Sequence, residues 1–433
     1  MDLSSSALPS PHDGLNALML NRPSIIALGR IASVALGLIN TWMVAQFLGP
    51  EGRGNTAAAL SALLLVPIIM GLGIPMVVRR WASTGQIGEV IRSARLLAAA
   101  TLIPSILLAW LIVTYPLAGL TEKERTVTFI GICLAPLTIL WVCDESVLVA
   151  ERKYAQVALV QLVLPVTAVS INLVCAISNT FSVFAFVISS IIGAAMTLAI
   201  SSFMIRVALR GPHLSLALTI REALTYAGSQ SAEAASNRLD QLLLLPLMGS
   251  IQLGFYSIAA TVAAVPLTIA YALTARFYRD IAQSPAVNRL AIQAEAARAS
   301  IYWAVLAGVT VAFGGWVLIP VVFGADFSGA ILPCVLASLG TVGLVASQVC
   351  SNALAADNRG KAMTYAQLAG LIVAIILMFL LAPTWGAAGA AIASTTGYLV
   401  TLLWVLSALK LTLRDLLPSR ARARSALAAM TGE

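Results

Sequence analysis

Long apolar runs separated by short polar segments recur from one end of this sequence to the other. Each is about 18–25 residues long, the length a helix needs to cross a hydrocarbon core of about 30 Å. The pattern predicts six transmembrane helices in the first half, at 24–48, 56–78, 96–119, 126–150, 155–177 and 181–205. Six more follow at 224–247, 251–275, 299–323, 327–350, 365–382 and 387–408. Eleven of these stand out by hydropathy. The seventh does not, because it holds Gln230, Glu233, Asn237, Arg238, Asp240 and Gln241.

Composition closes off the soluble alternatives. Of 433 residues, 60% are apolar and 10% charged, and the mean hydropathy is +0.93. A soluble domain has about 45–50% apolar and about 25% charged residues. Too few polar residues remain to coat a water-soluble globule, which excludes a soluble enzyme, a nucleic-acid-binding module and a disordered chain. The fold class expected is an all-α polytopic membrane protein of about 12 transmembrane helices. Residues outside the spans number roughly 170, spread over many short connections, so no separate aqueous domain fits. The expected organisation is a cytoplasmic N-terminal tail at 1–23, an N-lobe at 24–205 and a cytoplasmic inter-lobe loop at 206–223. A C-lobe at 224–408 and a basic cytoplasmic tail at 409–433 complete it. Met1 to Asn21 has no basic start, so a polar tail rather than a cleaved signal peptide is expected. Five cysteines, Cys133, Cys143, Cys175, Cys334 and Cys350, lie in apolar runs without metal-ligand spacing and read as small buried hydrophobes.

The net charge of +8 comes from residues that cluster between spans. With twelve crossings and both termini inside, 21 basic residues fall in inside segments and three, Arg53, Lys123 and Arg125, fall outside. If the polar seventh segment did not cross, 11 of those inside residues would be placed outside. The positive-inside rule opposes that, so the seventh helix is expected to span and both termini to be cytoplasmic.

The chain also repeats itself. Gly49-Pro-Glu-Gly-Arg-Gly54 follows the first span and Gly249-Ser-Ile-Gln-Leu-Gly254 the seventh, 200 positions later. Pro67 and Pro266 follow at nearly the same offset, and the turn from Tyr115-Pro116 to Gly119 is echoed from Ile319-Pro320 to Gly324. Six helices per half make the repeats parallel, related by an axis along the membrane normal. Two such lobes facing a central cavity suit a rocking, alternating-access transporter. Pro67, Pro75, Pro104, Pro136, Pro165, Pro266 and Pro333 interrupt spans, as bent transporter helices do.

Candidate chemistry concentrates in the seventh helix. Tyr226, Ser229, Gln230, Glu233, Ser236, Asn237, Asp240 and Gln241 share one face, while Leu239, Leu242 and Leu243 fall largely on the other. An ionised side chain at the bilayer centre costs at least about 2.5–3.5 kcal/mol, so such a stripe faces a cavity or a buried polar network. Glu233 and Asp240 are the first candidates for exchanging a proton or sodium ion; the competing reading pairs them with basic groups. Arg238, in mid-span, is the first candidate for binding an anionic substrate. Arg30, about two turns into the first helix, either joins it or snorkels to headgroups. Asp144 and Glu145, near the end of the fourth span, are either water-exposed helix-end residues or coupling carboxylates. Asn40 and Asn172 are suited to sugar hydroxyls or to interhelical hydrogen bonds. Both histidines, His12 and His213, lie outside the spans, and no catalytic residue or metal site is expected.

Several of these segments carry a family resemblance. Phe47-Leu-Gly-Pro-Glu-Gly-Arg-Gly54 resembles the opening signature of Wzx-type polysaccharide flippases, as does Asn237-Arg-Leu-Asp-Gln-Leu-Leu-Leu244 followed by Gly249 to Tyr256. Pro320-Val-Val-Phe-Gly-Ala-Asp-Phe327 and Trp385-Gly-Ala-Ala-Gly-Ala-Ala391 are similar to later landmarks of that family. The wider MOP superfamily also holds MATE exporters and MurJ-like lipid II flippases, and twelve spans favour the Wzx type over the MurJ type. The resemblance implies a MATE-like two-lobe fold in a bacterial inner membrane, flipping a polyprenyl-diphosphate-linked oligosaccharide from the cytoplasmic to the periplasmic leaflet. It implies partners among lipid-linked glycans, membrane lipids and polysaccharide polymerase or ligase proteins, and no nucleic acid. Under it, Arg30, Asn40, Asn237, Arg238 and Gln241 become cavity residues, with H+ or Na+ as coupling ion and no other cofactor. A MATE-like cation exporter is the alternative. A membrane glycosyltransferase or ligase is disfavoured by outer connections of only a few residues and by the absence of catalytic motifs.

Overall fold

The computed structural model describes residues 24–207, 210–357 and 359–411, together with Leu416. The tail at 1–23 and most of 412–433 lie outside the described residues. Described residues form helices and no β-strand. These are α1 (Ser24–Gly71), α2 (Ile74–Ala82), α3 (Ile87–Ala100), α4 (Leu102–Thr114), α5 (Glu122–Cys133), α6 (Ala135–Ala150) and α7 (Tyr154–Ile177). There follow α8 (Val183–Ile205), α9 (Leu216–Ala263), α10 (Leu267–Gln283), α11 (Ala286–Leu318), α12 (Ile331–Ala356) and α13 (Gly360–Ala408), with a π-helical turn at Ile319–Phe323 and a 3₁₀ segment at Ala325–Ala330 before α12.

Three helices, α1, α9 and α13, are 48, 48 and 49 residues long. At 1.5 Å per residue that is more than twice the thickness of a bilayer core. Each is broken once, at Gly49 (φ 64°, ψ −170°), Gly249 (φ 78°, ψ 170°) and Gly386 (φ 55°, ψ −134°). Only glycine adopts that backbone without a Cβ clash. The breaks fall where the sequence predicts connections between spans. In α9 the halves lie side by side, since the Tyr256 hydroxyl reaches the Asp240 carboxylate at 2.5 Å. In α13 they do so where Gly370 packs on Gly397 and Thr401.

Among the described residues, seven helical stretches are long and apolar enough to cross a membrane, or nine when two bent pairs each count as one span. The pairs bend by 40° between α3 and α4 and by 43° between α5 and α6. Proline explains both, because Pro104 and Pro136 sit in the first turns after the bends and cannot donate to the preceding turn. Ile103, Ile177, Phe313 and Val321 are 69–76% exposed. Apolar faces open to this degree are at home in lipid rather than water.

Two compact units emerge. Unit 1 comprises Met1–Asn40, Met70–Leu107 and Ile130–Tyr226. Its core packs Val77, Val78, Val90, Ile91, Ile139 and Val147. The segment after α8, predicted as a cytoplasmic loop, is laid along α2 and α3. Arg92 Nε donates to the Pro212 carbonyl (2.6 Å), Ser93 Oγ to Leu214 (3.0 Å) and Arg95 Nη1 to Val207 (3.1 Å). Trp81 Nε1 donates to Glu222 at 2.8 Å, and Arg80 pairs with the same carboxylate at 3.5 Å. With its backbone supported in this way, α9 begins at Leu216, before the predicted start at 224.

Unit 2 comprises Thr41–Ile69, Leu108–Phe129 and Ala227–Glu433. Here the four signature segments of the sequence meet one another. The helical stretches that follow the Gly49 and Gly249 breaks cross backbone to backbone. A Cβ on Gly54 would overlap the Ser250 carbonyl oxygen, and one on Gly254 the Pro50 oxygen. Gln46 Nε2 donates to the Val322 carbonyl (2.8 Å), and Phe255 packs edge-on against the buried Phe327 at 6.3 Å. The Gln252 side chain accepts from Ala387 N (3.1 Å), capping the half of α13 that restarts after Gly386. The repeated motifs are thus packing partners, and small residues permit the close approach, as membrane helix crossings require.

Candidate functional site

The polar part of α9 builds the most chemically loaded region of unit 2. Asp240 accepts from Tyr256 Oη (2.5 Å) and from the Gln241 backbone N–H (2.7 Å). Tyr256 Oη also lies 2.7 Å from Ser394 Oγ on α13. Gln241 is buried, and its Oε1 accepts from Ser61 of α1 at 3.1 Å. Beside Asp240 lies a cavity of about 60 Å³, lined by Ser236, Gln348, Gln367, Tyr398 and Thr401 among others. Gln367 is buried and its Oε1 has no hydrogen-bond partner. The cavity has room for an ion or a few waters, and its polar lining is largely oxygen, which suits a proton or a hard cation.

Arg238 lies on the same helix, partly buried, and Asp240 and Tyr398 act on it electrostatically. Among the described residues no carboxylate comes within ion-pair distance of it. Side chains of Glu233 and Asn237 lie outside the described residues.

The remaining candidates sit in unit 1. Asn40 Oδ1 accepts from Asn172 Nδ2 at 2.7 Å, the interhelical bond that was one of the two readings for this pair. Asp144 differs from the water-exposed reading. It is 2% exposed and accepts from Ser201 Oγ (2.9 Å) and Ser202 Oγ (2.8 Å). Those hydroxyls replace water, which a buried carboxylate otherwise lacks. Glu145 is half-buried, accepts from Gln161 Nε2 at 2.7 Å, and lies within electrostatic reach of Arg30 and Arg79. Arg30 itself is exposed.

No protein-family model matches the chain, and no curated protein matches it. Solved structures do. One described as lipid II flippase MurJ in an inward closed conformation superposes with a TM-score of 0.74 at 14% identity, covering 94% of this chain and 90% of its own. An inward-facing multidrug resistance MATE family transporter of the MOP superfamily gives 0.66 at 15% identity, over 87% of this chain and 95% of its own. The MATE multidrug transporter DinF-BH gives 0.63 at 13% identity, over 97% and 100%. The chain has the MurJ/MATE fold. This agrees with the all-α, MATE-like class expected from the sequence, while identities this low carry the fold and not the cargo.

Against that fold, the sequence missed three members of the site. Tyr256, Ser394 and Gln367 come from apolar spans where single polar residues gave no periodic signal. Arg53, outside this site, is expected from the sequence in an outer connection. The structure instead buries it, at 5% exposure, in the helical stretch that follows Gly49. The glycine-rich sequence around it reads as a turn, and the turn is only one residue long.

Proposed function

We propose that this protein is a membrane transporter, not an enzyme, and that its cargo is a polyprenyl-diphosphate-linked oligosaccharide. It flips that cargo from the cytoplasmic to the periplasmic leaflet of a bacterial inner membrane, by alternating access between lobes 24–205 and 224–408, for cell-surface polysaccharide synthesis. The observation that carries this reading is Arg238: a guanidinium on a transmembrane helix with no carboxylate at ion-pair distance among the described residues. A diphosphate headgroup bears about two negative charges, and arginine's planar fork matches its oxygens. A cation exporter gains nothing from such a charge.

In this mechanism Arg238 and Arg30 receive the diphosphate, and Asn40, Asn237 and Gln241 meet sugar hydroxyls. Asn40 and Gln241 do so through their amide N–H groups, since their oxygens accept from Asn172 and Ser61. Asp240, beside its oxygen-lined cavity, exchanges H+ or Na+ during the cycle, with Glu233, Asp144 and Glu145 as further coupling carboxylates. The glycan is handed on to polymerase or ligase proteins. A second reading, export of organic cations, draws support from the Asp240 and Tyr398 lining of that cavity. Deleting the gene in its host and analysing lipid-linked sugars tests the choice. Complete polyprenyl-linked repeats accumulating on the cytoplasmic side are expected. Unchanged lipid-linked sugars with increased sensitivity to cationic drugs would overturn the flippase reading.

A further inference from the structure

The chain that leads from α8 into the first turns of α9 sets exposed arginines among exposed apolar side chains. Thr219 and Ala223 are buried one turn apart, and Glu222 ties this face to α2 by accepting from Trp81 Nε1 (2.8 Å) and pairing with Arg80 (3.5 Å). The outer face leaves Leu218, Ile220 and Leu224 exposed by 40%, 41% and 55%, and Arg221 among them is exposed too. At 3.6 residues per turn, Arg221 and Leu224 point away from Thr219 and Ala223, with Leu218 and Ile220 on either flank. In the last turn of α8, Phe203 is 69% exposed, and the Arg206 guanidinium stands 4.8 Å from its ring centroid. Arg206 and Arg210 are both exposed. Among the described residues no carboxylate lies within ion-pair distance of Arg206, Arg210 or Arg221. Glu222, the one acid between positions 206 and 226, is already engaged.

Neither water nor hydrocarbon alone suits this face. Water leaves three large apolar side chains unburied, and hydrocarbon leaves Arg221 unsolvated. The boundary between headgroups and acyl chains satisfies both, with apolar side chains dipping inward and arginines reaching phosphates. Phe203 and Arg206 make the same division where α8, long and apolar enough to span a membrane, ends. The face therefore begins where a span leaves the hydrocarbon. It is also held in one register, because Arg92, Ser93 and Arg95 bind the backbone that leads into it. Three arginines without a carboxylate partner favour anionic headgroups over zwitterionic ones.

We propose that residues 216–226 form an interfacial helix seated in the cytoplasmic leaflet. Arg206, Arg210 and Arg221 take the headgroups of anionic phospholipids, while Leu218, Ile220 and Leu224 lie among the acyl chains. The anchor is independent of the cargo, and it grips the first turns of the helix that also carries Asp240. Its test places a fluorophore on Ala217→Cys, an exposed position on the same face, in the cysteine-free full-length protein. The labelled protein is reconstituted in vesicles of phosphatidylcholine and phosphatidylglycerol, one of the two carrying brominated acyl chains. Brominated lipid should quench the label and aqueous iodide should not. At equal mole fraction, brominated phosphatidylglycerol should quench more strongly than brominated phosphatidylcholine. Arg210→Gln and Arg221→Gln, both at exposed positions, should lower that preference by about fivefold for each arginine removed. Quenching by iodide alone overturns the seat in the leaflet. A label shielded from both quenchers overturns it as well, since protein then covers the face. Equal quenching by the two lipids, or an unchanged preference in the double variant, overturns the assignment of anionic headgroups to these arginines.

Discussion

Replacing Gly254 by alanine puts a methyl group into the closest helix crossing of unit 2. The new Cβ would lie 2.9 Å from the Pro50 carbonyl carbon and 3.2 Å from Pro50 Cα, with the carbonyl oxygen nearer still. Backbone atoms cannot swing aside as a side chain does, so the helices must separate. Overpacking of this kind costs about 1–3 kcal/mol. Alanine returns about 0.5–1 kcal/mol of helix preference over glycine, which would blur the result. Gly37→Ala removes that ambiguity, because nothing lies within 4 Å of a Cβ there. The difference between the two variants isolates the steric penalty, about 1–3 kcal/mol against Gly254→Ala. Gly54→Ala opens the same crossing from the other side, so the double variant should cost less than the sum of the singles, by about 0.5 kcal/mol or more. Thermal unfolding of the purified variants in one detergent reads all four. A Gly254→Ala protein that melts at or above Gly37→Ala would refute the backbone-to-backbone crossing.

Three further outcomes are expected. Arg238→Ala should reduce glycan translocation at least about tenfold without lowering the amount of folded protein in the membrane, and Arg238→Lys should recover only part, as lost charge-assisted bonds require; normal flipping by a stable Arg238→Ala would contradict the cationic site. Asp240→Asn keeps an oxygen for Tyr256 but cannot exchange a proton or bind sodium as a carboxylate does, so transport should lose its dependence on pH or on sodium. Transport by that variant with wild-type dependence on both would exclude Asp240 from coupling. In a cysteine-free background, Ser83→Cys and Ser284→Cys should resist an impermeant thiol reagent added outside, while Thr121→Cys, exposed between α4 and α5, should react. Ready labelling of Ser284→Cys in intact cells would break the twelve-span topology. Asn55, in the same connection as Arg53, is 8% exposed and too buried to report on it.

What could be read in the sequence follows from what kind of signal each feature leaves. Lipid solvation demands long apolar runs, and these made the all-α membrane class of the fold legible. The repeated Gly49–Gly54 and Gly249–Gly254 segments were legible as motifs, and the structure shows why they exist: they are each other's packing partners. The same holds for Pro320–Phe327 and Trp385–Ala391, bound into the same unit through Gln46, Phe255 and Gln252. A signature made of architectural contacts identifies a fold family and says little about cargo. Arg53 escaped because glycine and proline on either side mimic a solvent loop, while a single broken residue suffices to restart the helix. Asp144 escaped because its protection comes from Ser201 and Ser202, nearly sixty positions away in the sequence, where two serines in an apolar run carry no period. The α9 stripe was visible from its spacing, but its partners Tyr256 and Ser394 depend on how the broken helices fold back.

The central claim is that the cargo is anionic and lipid-linked, and translocation in proteoliposomes tests it most directly. Purified protein is reconstituted with a fluorescent polyprenyl-diphosphate-linked oligosaccharide in both leaflets, and a membrane-impermeant quencher or glycosidase counts the fraction that becomes accessible with time. The account predicts protein-dependent flipping that Arg238→Ala abolishes, with no uptake of an organic cation such as a rhodamine under the same gradients. Rhodamine transport by the wild-type protein, with the lipid-linked glycan left in its original leaflet, would contradict it.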